Sequence, residues 1–219
     1  MGDVLRLVEE VTLLLRRDED LAFTHVPTLS LRYGLAGAVL MDLAIENRID
    51  TDLERLAVTD PTPVGDELLD PTLAEIAASD GHDTRHWLEQ TAARADEIHA
   101  GVLERLIDRG VLERRQRSSK RLFGSVRSEV IDGEARRDVR VRVMSALLGD
   151  DIPDPRDVML VCLADACGAF GELLARGEFA DVIPRLEQLR KLELIGRAVF
   201  EAIEDSQVAM AASMMHHVV

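Results

Sequence analysis

Apolar positions recur at helical spacing along most of the chain. Leu5, Val8, Val11, Thr12 and Leu15 fall on one face and predict an opening helix that the charges of Arg16 to Asp20 terminate. Leu21 to Leu29, with Pro27 inside it, reads as extended or irregular. Leu35 to Ile45 predicts a strongly apolar helix, with Gly34 and Gly37 near its start. Residues that small let another backbone come close, which makes this helix the expected centre of the core.

Arg48-Ile49 and Arg55 to Val58 read as two short strands joined by a turn, and Pro61 and Pro63 enforce a loop after them. Asp66 is placed to cap a helix beginning at Glu67. Helices are expected near Leu68–Ala78, Thr84–Thr91 and Ala92–Arg109, with a break near Ala92 and Gly110 closing the last. Val111 to Val130 has β character, with a turn near Ser118-Ser119 or Gly124, and Gly133 marks its exit. Glu134–Leu148 is helical, Pro153 and Pro155 break the chain, and Asp157–Leu174 reads as one buried helix. Gly177 separates it from helices filling Asp181–Met215. With no repeat, low-complexity stretch or long linker, residues 1–219 are expected to form a single domain. The fold class is mainly α: a compact multi-helix domain with a projecting basic β-hairpin and a short second strand pair.

Composition narrows the function. Aromatics make up 3% of the chain, too few for base-stacking platforms or an aromatic-rich sugar site. The net charge of -15 repels phosphate backbones and anionic lipids over most of the surface. The charge is segregated, however. Residues 109–142 hold 11 basic and 5 acidic residues, a local +6 against -21 elsewhere. The segment includes Arg114, Arg115, Arg117, Lys120 and Arg121, followed by Leu122 and Phe123. Cations beside apolar side chains at a hairpin tip suit an anionic membrane interface, and equally a contact between subunits. The run from Leu106 to Leu112 before this hairpin also resembles a winged-helix wing, but Asp96, Glu97 and Glu104 on the preceding helix oppose a duplex, so no nucleic-acid partner is expected.

Chemistry-bearing constellations are sparse. Cys162 and Cys167 are spaced about 140° apart on a helix, read as buried free thiols of a reducing compartment. His82, Asp83 and His86 offer two imidazoles at a helix start and lack a third ligand, so no metal is expected. Asp96 and His99 lie one turn apart and can pair as neighbours. Neither a phosphate-binding glycine loop nor a nucleophile elbow occurs in the sequence, and the expectation is a non-enzymatic protein without cofactor. No stretch is expected to reach the roughly 18 apolar residues that a membrane span takes. Glu9 and Glu10 interrupt the N-terminal apolar segment in a way unlike a secretion signal, and Arg6 stands where a myristoylation motif takes Ser or Thr. The expected location is the cytoplasm or the cytosolic face of a membrane.

Several stretches, in order, resemble the Golgi phosphoprotein 3 family, its bacterial members in particular. They are Val8 to Leu15, Gly34 to Ala44 followed by Arg48-Ile49, Thr62 to Asp70, Trp87 to Glu89, Arg109 to Leu112, and Leu160 to Ala166. The resemblance runs from about residue 5 to 210 and implies a mainly helical domain with a projecting hairpin. It also implies a peripheral membrane protein that binds phosphatidylinositol 4-phosphate, acts as an adaptor for a protein client, and self-associates through the hairpin. The family's headgroup arginines fall here on Ala36, Asp96 and His99, and its upstream tryptophan falls near residues 25–27, where none stands. Arg32, Arg94 and His99 are the remaining candidates for an anionic headgroup. Two partners are therefore expected, an anionic lipid and a second copy of the chain.

Overall fold

The computed structural model describes residues 4–16, 26–52, 55–79, 81–115, 127–130 and 133–216. The elements run α1 (Leu7–Leu14), α2 (Thr28–Ile45), β1 (Ile49–Thr51), β2 (Leu56–Val58), α3 (Asp70–Ala78), α4 (Thr84–Ala93), α5 (Ala95–Asp108), β3 (Leu112–Arg115), β4 (Arg127–Val130), α6 (Gly133–Leu148), α7 (Pro155–Ala166), α8 (Phe170–Leu173), α9 (Arg176–Arg190) and α10 (Leu194–His216). The mainly α class holds. β1 pairs antiparallel with β2, and β3 pairs antiparallel with β4 in the register Leu112↔Val130 to Arg115↔Arg127. The expected hairpin turn near Ser118-Ser119 or Gly124 lies outside the described residues, as do the side chains of Arg117, Lys120, Arg121, Leu122 and Phe123.

Helix α2 is the hub, packed by α1, α4, α5, α7 and α10. Its two early glycines do what their size allows. A Cβ on Gly34 would lie 2.5 Å from Cys167 Sγ, and one on Gly37 would run into Val199. Against expectation, α2 is by length and mean hydropathy long and apolar enough to cross a membrane, its few polar residues being diluted by its apolar centre. Burial of Leu35, Ala36, Val39, Leu40, Met41 and Leu43 against five neighbours makes it the core helix instead.

Several boundaries differ from expectation. Helix α2 begins at Thr28 rather than Leu35, because Pro27 opens the helix instead of breaking it. The long helix expected over Asp157–Leu174 ends at Ala166, where Gly168 takes φ +73° and turns the chain. Gly177 does not separate helices but sits in the first turn of α9. The predicted break near Ala92 is real and falls at Arg94, and Gly110 closes α5 with φ +71°. Cys162 and Cys167 are both free and buried, and burial pushes the Cys167 thiol up to about 12.

Candidate functional site

One end of the core is bound by a network that starts at α1. Glu9 and Glu10 sit at 0% and 2% exposure, where an uncompensated charge would be costly. Arg109 reaches Glu9 at 2.8 Å, and Glu10 takes Arg142 at 2.8 Å and Arg156 at 3.0 Å. Arg142 also bonds Asp157 at 3.0 Å, so α1, α5, α6 and α7 are joined through charge. Asp42, buried on α2, accepts the N–H groups of Leu7 and Val8 at 2.9 and 3.1 Å and so satisfies the start of α1. Burial pushes this carboxyl up to about 7, against the pull of those two N–H groups and of Arg156 and Arg6.

The Thr62–Asp70 stretch completes this end. Asp70 accepts the N–H groups of Val64, Gly65 and Asp66 at 2.7, 3.0 and 3.1 Å, and Gly65 takes φ +81° to make that turn. Asp66 accepts Leu68 N–H at 2.9 Å, as a cap does, although the helix proper starts at Asp70. Arg105 grips Asp66 through two bonds of 2.9 and 2.8 Å, and Arg6 adds a third at 3.2 Å. Burial works to raise the Asp66 carboxyl, but the Arg105 and Leu68 bonds and the charges of Arg105 and Arg6 hold it below its ordinary range. Arg6, Arg105, Arg109 and Arg156 line a cleft of about 680 Å³ together with Glu9, Glu46, Asp66 and Glu67. Cations and carboxylates balance there, so the cleft is a structural clasp rather than an anion trap.

The headgroup candidates lie at the other end of α1 and α2. Arg32 Nε and Nη2 donate to the carbonyls of Ala92 and Ala93 at 3.3 and 3.4 Å, capping the C-terminus of α4, and Arg32 lies 4.0 Å from Asp96. Ala36, one turn along α2 from Arg32, is fully buried. His99 is half-buried. Burial and the nearby charge of Arg16 lower its imidazole below the ordinary value, while Asp96 raises it. Arg16 is itself lowered, by burial and then by Arg136, whose Nη2 donates to the Arg16 carbonyl. Arg16 and Arg136, both buried, thus lie near His99, and Arg32 approaches the same place through Asp96. Arg94 points elsewhere: Nη2 bonds Thr72 Oγ1 at 2.6 Å and Nε lies 3.6 Å from Glu75, both on α3.

Arg16 and Arg136 are the residues that sequence reasoning left out of this site. They are 120 positions apart, and the only signal was the density of arginine in 109–142 and the charged end of the first helix. The His82 and His86 rings stack at 3.9 Å and both meet the edge of Trp87, while Asp83 caps α4 through His86 N–H. Among the described residues no group of three metal-ligating side chains converges.

A protein-family model described as Golgi phosphoprotein 3 (GPP34) matches residues 7–206. No curated protein gives a significant match.

Proposed function

Since the chain belongs to the Golgi phosphoprotein 3 family, we propose that it is a non-enzymatic peripheral membrane protein that holds anionic phospholipid through its basic hairpin. The observation that carries this reading is the charge segregation: +6 over residues 109–142 in a chain that is otherwise -21. The strand pair β3–β4 lies within this segment and carries Arg114, Arg115 and Arg127. Each cation near an anionic surface contributes about 1 kcal/mol, within a screening length of about 8 Å at physiological salt. Five hairpin cations therefore give useful but salt-sensitive affinity.

In this reading the headgroup phosphate meets Arg32 and His99, above the buried Arg16 and Arg136, and not Arg94, which α3 retains. Ala36 and Asp96 supply no donors where the family resemblance implies arginines. A phosphomonoester draws its selectivity from several charge-assisted donors. The proposal is therefore general affinity for anionic bilayers, without marked preference for phosphatidylinositol 4-phosphate. An adaptor role toward a protein client belongs to the same proposal.

The test is vesicle co-flotation with the wild type and with Arg114, Arg115, Arg117, Lys120 and Arg121 all changed to Glu. The wild type is expected to float with anionic vesicles at low salt, and the variant to remain in solution. Unchanged flotation of the variant would refute the hairpin anchor. Loss of self-association rather than of flotation in Leu122→Ser, Phe123→Ser would make the hairpin a subunit contact.

A further inference from the structure

Helix α6 carries two apolar faces, and only one is used within the chain. Val139, Val143, Ala146 and Leu147 are buried against α1, α7 and α9. On the other side Val141 and Leu148 are 56% and 59% exposed, and Ile152 just beyond the helix is 97% exposed. Val141, Ser145 and Gly149 are spaced four residues apart and form a ridge. A shallow depression lies on each side of it: one includes Arg137, Met144 and Leu148, the other Asp151 and Pro153. A ridge of this spacing between two depressions is the surface that packs against another helix of the same kind.

The charges on this face decide the occupant. Its N-terminal end is net positive, Arg137 and Arg140 outnumbering the exposed Asp138, and its C-terminal end holds the exposed Asp150 and Asp151. A bilayer of anionic lipid would meet Asp150, Asp151 and Asp154 beside Ile152, the most exposed aliphatic residue, and be repelled there. A second copy laid antiparallel, with a two-fold axis near Ser145, brings Arg137 of each copy to the aspartates of the other. The same operation sets Val141 against the Leu148–Gly149 region, and the small Ser145 at the axis lets the helices approach. A parallel arrangement would oppose like charges at both ends. From this self-complementarity we infer that the exposed face of α6 is an isologous contact between two copies of this chain. It uses none of the hairpin residues and does not depend on lipid binding. Three exposed aliphatics make a small apolar centre, so the dimer is expected to be weak and to form only at micromolar concentration or above.

Sedimentation velocity from about 1 to 200 μM at physiological salt tests this. The wild type is expected to pass from monomer to dimer across that range. Val141→Glu with Leu148→Glu changes only exposed positions and should leave a monomer with an unaltered circular-dichroism melt. Arg137→Asp and Asp151→Arg should each weaken the dimer about tenfold, since two symmetry-related attractions become repulsions. An equimolar mixture of those two single variants should restore it, because opposite charges then face each other at both ends. A wild type monomeric throughout would overturn the inference. So would a dimer indifferent to the α6 changes but lost in Leu122→Ser, Phe123→Ser, or a mixture that fails to recover.

Discussion

Asp66 and Asp42 occupy opposite sides of the same chemical problem. Both are buried carboxylates, but Asp66 has Arg105 and Arg6 as charge partners, whereas Asp42 relies on backbone N–H groups. The Asp66 carboxyl titrates below its unfolded value, so its contribution is full above about pH 4 and is lost as pH falls through the folded value. Asp42 is raised to about 7, so its contribution is full below the ordinary carboxylate range and is lost as pH rises through 7. Urea unfolding of the wild type at intervals from pH 5 to 8 is expected to show a falling midpoint. Asp42→Asn should flatten that slope while lowering stability at pH 5 by about 1 kcal/mol, one of the two accepting oxygens being lost. An unchanged slope would show that Asp42 does not titrate there. Glu10→Ala should cost about 3 kcal/mol, because it strips Arg142 and Arg156 of their shared buried partner. A change below 1 kcal/mol would show that the network relaxes around the loss.

At the level of elements, α2 illustrates what a one-dimensional pattern conveys. Its apolar centre and the need for small residues at Gly34 and Gly37 were legible, because close approach leaves only glycine room. Gly37→Val should therefore destabilise by about 2 kcal/mol or more, lowering Tm by roughly 4–8 °C in a chain of this length. Gly177→Ala, where an added Cβ meets nothing within 4 Å, should be neutral or slightly stabilising. Equal losses in the two thermal melts would contradict the packing account. The start of α2 was not legible: Thr28, Ser30 and Arg32 dilute the apolar pattern, and Pro27 is compatible with either opening or breaking a helix. The end of α7 was hidden for a related reason. Apolar residues continue through Ala169 and Phe170, and only the left-handed Gly168 turns the chain between them. Thr62–Asp70 is one of the stretches that carry the family resemblance. Its described bonds are structural, as Asp70 ties the loop and Asp66 ties it to α1 and α5.

On the scale of the whole molecule, charge is used in two ways. Inside, Glu9, Glu10 and Asp66 fasten helices far apart in sequence, contacts of 39 to 146 positions that no local pattern reveals. For the same reason Arg16 and Arg136 come together with His99 only in the folded chain. The excess of arginine in 109–142 is visible in the sequence itself; Arg109 and Arg142 are taken up by the internal network and Arg136 is buried, and the remaining hairpin cations motivate the membrane proposal. The most direct test of that proposal is co-flotation of the wild type with neutral, generically anionic and phosphatidylinositol 4-phosphate-doped vesicles, at low and high salt. The account predicts binding to both charged vesicle types at low salt, none to neutral vesicles, and loss at high salt. Binding confined to the phosphoinositide and resistant to salt, or no binding to any vesicle, would contradict it.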